Sequence, residues 1–494
     1  MSRRLAGRHL GRLGLIGVLA LAGCEVGPRY VTPGTAPTAA QPFVSATPGI
    51  AAGDQPAPAD WWRLYDDPVL DRLVPEALAE NADLKTAQAN LIYAQGLLDE
   101  ARAGLFPTTD LSAGAAYGKS STAELLTAVN GVAAKPQWGL TAGFSAAYEV
   151  DLFGRIRRGI EAARANAQAA ADAENLVRVT VAAGTTSAYA NVCAYAEQAA
   201  VARHSVSVLQ QGYDILVTER RLGAVSDLDV ARQGTLLDQA HSTVPTLEGQ
   251  RRAALFELAA LLGRTPADIP ADAQACTTPP RIAQVLPVGD GAALLRRRPD
   301  VREAERNVAA ATARIGVATA DLYPTISLNG AINSAAGSLS GLGSASAISY
   351  ALGPLLTWSF PNILVAKAHI RQTTAQTSAA IASFDSTVLT ALRDTETALT
   401  TYGGELSRHA ALASARDNAN RAFALAQIQN RAGSLSFLDL LTAETTLVSA
   451  DQQFAQSDQA VAADQVAVFQ ALGGGWEDAP AVVPPPVPGG RAVR

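Results

Sequence analysis

The sequence predicts an α+β membrane protein in which each chain contributes four transmembrane β-strands and several long α-helices. Three observations support this prediction: an export signal at the N-terminus, two copies of one structural unit, and strand-like segments followed by long helical ones in each copy. No other apolar stretch approaches the roughly 20 residues that a membrane-spanning helix needs. Any part that crosses a membrane must then be a closed β-barrel, because lipid offers no partners to unpaired backbone groups.

Residues 1–23 form a secretory signal peptide. Four Arg and no acid precede an apolar run over 13–22, which is too short to span a membrane as a helix. The run ends in Leu21-Ala22-Gly23-Cys24, which resembles the lipobox of bacterial lipoproteins. This resemblance implies cleavage before Cys24 and a covalent lipid on that residue; the simpler alternative is ordinary cleavage beside an incidental thiol. Glu25, in place of the Asp that favours inner-membrane retention, implies the outer membrane.

The net charge argues against one class of partner, and the cysteine content allows one disulfide. Removing the four signal Arg from 39 basic residues leaves 35 against 45 acidic residues, a net charge of about −10 that argues against nucleic acid. Cys193 and Cys276 remain beyond the lipobox. The oxidising periplasm permits a bridge between them if their Cα atoms lie within about 7 Å, and two free buried thiols are the alternative.

The chain repeats itself between its two Pro-rich ends. Residues 105–108 recur as 322–325, 221–229 as 431–439, and 261–264 as 471–474. Because the landmarks keep their order and nearly their spacing, they indicate a duplicated unit of about 200 residues. The predicted division is a signal peptide (1–23), a Pro/Ala-rich lipid-anchored tether (24–59), a first repeat (60–264), a linker (265–297), a second repeat (298–475) and a Pro-rich tail (476–494).

Each repeat has the same order of elements. A helical stretch, at about 77–104 and 298–322, is followed by two segments of alternating polarity. Residues 140–152, for example, place Leu, Phe, Tyr and Val on one face and small or polar residues on the other. This alternation is typical of a transmembrane barrel with a wet lumen. Four strands cannot close a barrel, since the smallest have about eight, so several copies must combine.

Two long helical stretches complete each repeat. From Gly154 to Gly223 and from Ile363 to Gly433 the chain has room for helices of roughly 105 Å, and the returning stretches for about 58 Å. Their Ala-rich composition suits close, coiled-coil-like packing. Pro245 is predicted to kink or divide the first returning helix. An extended coiled-coil spacer is the alternative, but it leaves the strands unexplained.

Several motifs together resemble the NodT-type branch of the TolC/OprM outer-membrane factors over roughly 20–475. They are the lipobox, Asp60-Trp61-Trp62, the Phe-Pro-Thr motif, Asp151-Leu152-Phe153-Gly154, Arg296 to Val301 and the paired Gly-x-x-Ser-x-Leu-Asp turns. The resemblance implies a homotrimer with twelve strands in one β-barrel, continuous with a twelve-helix periplasmic α-barrel. The second repeat departs from the pattern at Phe360-Pro361-Asn362-Ile363, which leaves its strand-to-helix turn open.

The resemblance also implies a function. It is that of a passive exit duct, which takes drugs or other small molecules from a periplasmic adaptor protein and an inner-membrane RND transporter to the exterior. An outer-membrane duct for type I protein secretion and a structural envelope-tethering coiled-coil lipoprotein are the alternatives. No enzymatic constellation, nucleotide-binding loop or metal-ligand spacing occurs in the sequence, and His204, His241, His369 and His409 stand singly in helical stretches. We therefore expect no enzyme and no cofactor beyond the lipid on Cys24.

The turns at Gly223 and Gly433 are candidate gate sites, because the length of the helices places them far from the strands. Glycine supplies a left-handed turn there, and a carboxylate, Asp229 or Asp439, follows six residues later. An acid in a first helical turn can simply complement the helix dipole. The resemblance implies a ring of carboxylates that binds cations and closes the duct. Further candidates are the cationic residues Arg220, Arg221, Arg232 and Arg431 and the apolar residues Leu435 and Leu438.

Overall fold

The computed structural model describes residues 25–47, 49–53, 55–119, 135–360 and 363–477. The signal peptide, Cys24 and the tail beyond residue 477 lie outside these ranges. So do residues 120–134 and the two residues Pro361 and Asn362. The expectations that concern them therefore stay predictions.

Long α-helices make up most of the described chain. In order they are α1 (Pro68–Glu80), α2 (Ala82–Ala103), α3 (Arg155–Arg221), α4 (Asp227–Leu261), α5 (Ala271–Gln274), α6 (Gly291–Arg297), α7 (Pro299–Ala320), α8 (Ile363–Arg431) and α9 (Phe437–Ala471). α3 and α8 have 67 and 69 residues, or about 100 Å each, and α4 and α9 both have 35. None of the helices in the described ranges is long and apolar enough to cross a bilayer.

Six strands accompany the helices. They are β1 (Ala51–Ala52), β2 (Thr108–Gly118), β3 (Gln137–Val150), β4 (Leu286–Pro287), β5 (Thr325–Ala336) and β6 (Ile348–Thr357). The four long strands form one antiparallel sheet in the order β2-β3-β5-β6, so the hairpins of the two repeats join at β3 and β5. β1 and β4 form a separate parallel pair. Within the described chain, β2 and β6 are paired along one edge only.

The register of the sheet separates apolar from polar side chains. Leu111, Phe144, Ile332 and Tyr350 lie side by side across the four strands, and all four are exposed. The adjacent row, on the opposite face, consists of Ser112, Gly143, Asn333 and Ser349. The alternation that the sequence shows in β3 and β6 therefore extends coherently over the whole sheet.

The chain divides into two compact units. The first comprises Met1–Pro33, Tyr93–Ala169 and Glu305–Ser383 and contains the four-stranded sheet. The second comprises Gly34–Ile92, Ala170–Ala304 and Phe384–Arg494 and contains the largest apolar core. In that core Trp61 stacks on Phe469, with ring centroids 4.9 Å apart, and both side chains are fully buried. The tryptophans of the Asp60-Trp61-Trp62 motif thus serve packing.

One expectation about the helices is wrong, and one of the two effects predicted for Pro245 does not occur. The first helical stretch was expected as one segment at about 77–104, but it begins at Pro68 and is interrupted at Asn81. The Asn81 side chain accepts a hydrogen bond from the backbone N–H of Leu84 and donates one to the carbonyl of Leu261, so it caps α2 from outside the helix. Pro245 does not divide α4, which runs unbroken from Asp227 to Leu261.

The predicted tether is extended but is packed against the body of the protein. Within the second unit, β1 pairs with β4, and Phe43 is buried in the core. The backbone N–H groups of Val44 and Ser45 donate to the Glu396 carboxylate at 2.7 and 2.9 Å. The Glu396 carboxylate therefore accepts the backbone donors of a segment that has little regular structure of its own.

Cys193 and Cys276 are joined by a disulfide, with Cα atoms 5.0 Å apart. Cys193 is fully buried on α3, and Cys276 follows α5 in the linker. The bond therefore fixes the linker to the long helix of the first repeat.

Two neighbouring substitutions in β6 should have opposite consequences. Leu352 lies mid-strand on the exposed apolar face, where an arginine in the bilayer costs about 2–4 kcal/mol. Leu352→Arg should thus reduce the amount of folded protein in the outer membrane, measured by heat-modifiable migration of membrane fractions. Ala351→Arg, on the polar face, is the matched control and should insert normally. Equal insertion of both variants would contradict the assignment of the faces.

Reduction of the disulfide should lower the thermal unfolding midpoint. The bond links residues 83 apart, and constraining an unfolded loop of that size contributes about 4–5 kcal/mol in the chain-entropy model. Circular dichroism in detergent, with and without reductant, measures the shift. The double variant Cys193→Ala with Cys276→Ala should unfold at the lower midpoint and ignore the reductant. A wild-type midpoint that stays constant while thiol labelling reports a broken bond would refute this prediction.

Candidate functional site

The turn between α3 and α4, the first tip, is built by a left-handed glycine and a reciprocal helix cap. Gly223 has φ +76°, which ends α3 without strain. The backbone N–H of Asp229 donates to the Ser226 hydroxyl, and the Asp229 carboxylate accepts from the Ser226 backbone N–H and hydroxyl. These hydrogen bonds lower the pKa of Asp229, so its carboxylate is charged at neutral pH.

An ion pair closes the same tip. The Arg220 guanidinium donates to both oxygens of Asp227, at 2.6 and 2.8 Å, which lowers the pKa of that carboxyl. Arg232 lies 4.0 Å from Asp229. Of the predicted cations, Arg220 therefore pairs with Asp227 instead of a predicted gate acid. Sequence reasoning missed Asp227, although its position seven residues after Arg220, across a tight turn, is a detectable signal.

The turn between α8 and α9, the second tip, has the same backbone with fewer charges. Gly433 has φ +72°, and the Asp439 backbone N–H donates to the Ser436 hydroxyl, which in turn donates to the Asp439 carboxylate. Asn430 donates its side-chain N–H to the carbonyl of Leu435, in place of the ion pair of the first tip. Arg431 and Asp439 are exposed, and within the described residues neither forms an ion pair with another side chain.

Apolar side chains also project from both tips. Leu438 is 55 % exposed, and Leu228, at the equivalent position of the first repeat, is 57 % exposed. Leu435 is half-buried. Sequence reasoning proposed Leu435 and Leu438 as an apolar plug but missed Leu228, which the 210-residue offset of the repeats points to. Arg221 is exposed beside Gly223.

A buried polar contact joins the two returning helices a short distance from the tips. The Gln233 amide on α4 donates to the Leu209 carbonyl at 3.1 Å and to the Glu444 carboxylate on α9 at 3.4 Å. Burial raises the pKa of Glu444. Because an unpaired buried charge is costly, this contact ties α4 and α9 to a common spacing.

Two of the histidines have partners that the sequence did not reveal. His409 stands singly in the sequence, but its Nε2 atom lies 2.7 Å from the Asp458 carboxylate, which also pairs with Arg281 of the linker. Burial and the nearby Arg281 lower the pKa of His409. His369 lies 3.3 Å from Asp321. The described residues contain no group of three His, Cys, Asp or Glu side chains placed to hold a metal ion.

The amphipathic sheet offers one face to lipid and one to water. Leu111, Tyr350 and Leu352 are more than 80 % exposed on the apolar face, which no segment of the described chain covers. Residues on the other face are small or polar except for Leu355, and an aqueous pore is lined mainly by such side chains. Together with the long paired helices, this sheet defines a channel protein of the outer-membrane type.

Comparison with known proteins identifies the family. The family model described as "Outer membrane efflux protein" matches residues 73–264 and 292–474, together more than half of the chain. The chain belongs to this family, whose members are channels and not enzymes. Its predicted fold class, that of trimeric outer-membrane channels with a β-barrel and an α-helical barrel, is confirmed, as is a location in the outer membrane with extension into the periplasm.

Individual relatives agree over almost the whole chain. "Nodulation protein T" of Rhizobium leguminosarum bv. viciae is 28% identical over 475 residues, 94% of each chain. "Solvent efflux pump outer membrane protein SrpC" of Pseudomonas putida is 29% identical over 472 residues, 94% of this chain and 98% of that protein. The structure of the outer-membrane channel OprN superposes with a TM-score of 0.84 at 33% identity, covering 92% of this chain and 100% of that one. The predicted resemblance to the NodT-type branch is thus confirmed.

Replacement of Asp439 tests the gate prediction. Asp439→Ala should weaken the block of single-channel current by added cations and leave oligomer assembly intact, because the carboxylate is exposed at the second tip. Ser436→Ala is the matched control: it removes the helix cap, worth about 1 kcal/mol, but keeps the carboxylate, so block should persist. Unchanged conductance and block in Asp439→Ala would remove this residue from the gate.

Proposed function

We propose that three copies of this chain form the exit duct of a tripartite RND-type efflux pump, through which drugs or other small molecules leave the periplasm. The observation that carries the proposal is the four-stranded sheet with one apolar face and two edges, β2 and β6, that have no partner in the described chain. Three such sheets, joined edge to edge, supply twelve strands and leave no edge open to lipid.

The proposed partners follow from this role. The sequence contains no nucleotide-binding loop that could supply energy. A periplasmic adaptor protein and an inner-membrane RND transporter therefore supply substrate and energy. The names of several relatives support this reading, since they describe outer-membrane proteins of solvent and toluene efflux pumps in Pseudomonas putida. We propose neither an enzymatic activity nor a cofactor, and the lipid on Cys24 is the sole covalent addition.

The tips are the proposed gate. In the trimer, three copies of Asp229 and of Asp439 would converge to bind cations, while Arg220, Arg221, Arg232 and Arg431 hold the closed state through carboxylates or carbonyls. The Arg220–Asp227 pair supports one such restraint within a chain. Leu435 and Leu438 would narrow the same passage.

Reconstitution and export assays together test the proposal. The purified lipoprotein should be a trimer in detergent by light scattering, conduct ions in planar bilayers, and lower dye accumulation in cells that express an adaptor and an RND pump. Leu352→Arg serves as the control that is made but not inserted. A trimer that conducts but supports release of a polypeptide and not of dyes would favour type I secretion. A protein that never conducts would favour the tethering role.

A further inference from the structure

The first residues of the described chain lie in a closely fitted site beside the end of β3. We propose that the turn Asp151–Gly154, with Arg158 and Gly316, is a binding site for the processed N-terminus of this chain and fixes where its lipid anchor leaves the protein. We call these residues the N-terminal seat. The inference rests on the proposed lipidation of Cys24, one residue before the bound segment Glu25–Gly27.

The turn of the seat is held rigidly by a helix cap. Asp151 accepts hydrogen bonds from the backbone N–H groups of Ile156 and Arg157, at 3.1 and 2.9 Å, so it caps the start of α3. Gly154 has φ +81°, which turns the chain sharply between β3 and α3. The carbonyl of Phe153 is thereby left free of the helix, and it accepts from the backbone N–H of Val26 at 3.2 Å.

Two glycines, which have no side chain, allow the segment Glu25–Gly27 to approach the seat closely. A Cβ atom on Gly27, whose φ is +91°, would lie 2.5 Å from the Cα of Gly316 in α7. A Cβ on Gly154 would lie 2.8 Å from Cγ of Glu25. Real Cβ atoms essentially never lie this close to another heavy atom. The seat and its ligand are therefore complementary at the level of single carbon atoms.

A buried charge gives the seat its chemical preference. Arg158 is 2 % exposed, and its Nη1 donates to Glu161 at 2.7 Å. Its Nε lies 3.5 Å from the Glu25 carboxylate, and its Nη2 has no hydrogen-bond partner in the described part of the chain. A buried guanidinium needs compensating charge. Glu161 supplies one such charge, and Glu25 supplies a second beside the Nε and Nη2 atoms, which form no hydrogen bond within the described residues, so the seat favours an acidic residue at this position.

A second contact holds the segment a few residues further on. The Tyr30 hydroxyl donates to Glu305 at 2.7 Å, and the Arg306 guanidinium lies 5.4 Å from the centre of the Tyr30 ring. The segment is thus bound at both of its ends, by hydrogen bonds and charge, along α7.

The seat determines where the acyl chains enter the bilayer. Glu25 and Val26 contact the turn that ends strand β3, and Cys24 is the residue that precedes them in the chain, so we infer that the lipid leaves the protein beside this turn. The sequence of the second repeat agrees: Phe360-Pro361-Asn362-Ile363 replaces Asp151-Leu152-Phe153-Gly154. A chain has one N-terminus, so only one copy of the duplicated turn needs to keep the acid and the glycine of the seat.

Release of the segment can be measured by proteolysis of the full-length lipoprotein in detergent. Arg29 is exposed, and trypsin cleavage after it detaches the lipid-bearing peptide. Gly27→Ala and Glu25→Gln should each raise this cleavage rate at least tenfold and speed exchange of the Val26 amide hydrogen. Gly49→Ala is the matched control, because Gly49 has φ +90° but no atom within 4 Å of the added carbon. It should cleave like the wild type.

Equal cleavage and exchange in Gly27→Ala, Glu25→Gln and Gly49→Ala would overturn the proposal. Should Gly27→Ala fail to fold, Glu25→Gln alone decides, since it keeps the size of the side chain and removes only the charge. Conductance of the same preparations separates this inference from the proposed function. A wild-type protein with a protected N-terminus that does not conduct would refute the channel and still support the seat.

Discussion

A sheet that crosses a membrane must pair every backbone N–H and C=O, because lipid offers none of the hydrogen bonds that water provides at a soluble edge. In this chain β2 and β6 form the two edges of a four-stranded sheet, and both have unpaired sides within the described residues. The rest of the structure follows from the need to pair the backbone groups of these two edges. Closure requires further copies, closure of a barrel with these faces leaves small polar residues inside, and the long helices continue from the same strands.

The internal duplication provides two pairs of helices with nearly equal lengths. α3 and α8 differ by two residues in length, and α4 and α9 not at all. Matching glycines with positive φ occur at both tips. A second matching pair, Gly263 and Gly473, follows the C-terminal ends of the two returning helices. The proposed gate draws on both tips, and helices of nearly equal length in the two repeats are consistent with it. The copies differ at the Arg220–Asp227 pair, where the second repeat has Asn430 and Phe437, and at the N-terminal seat.

The linker is held from both repeats. Its Cys276 is bonded to α3, and its Arg281 pairs with Asp458 on α9, beside His409 on α8. Chain segments without regular structure keep their position through such side-chain contacts, because they have no backbone ladder of their own. The disulfide adds a covalent link to these contacts and constrains the unfolded chain as well.

Periodicity and repetition in the sequence predicted the four strands with their faces, the helix lengths and the tip glycines, because each depends on neighbours a few residues away. The predicted gate carboxylates Asp229 and Asp439 were found in this way, and the structure shows both as partners of helix caps. The break at Asn81, the continuity of α4 through Pro245, the partner of His409 and the choice of Asp227 by Arg220 came only from the tertiary structure.

Apart from the continuity of α4, each of these depends on a residue distant in sequence or across a turn, such as the Leu261 carbonyl that binds Asn81. The packed tether is the clearest case: its composition indicates an extended segment, but what it binds is set by Glu396 and Arg158, far along the chain. Local spacing fixes which face of an element is apolar. Only the fold decides which buried charge meets which partner, because that pairing depends on desolvation and distance in three dimensions.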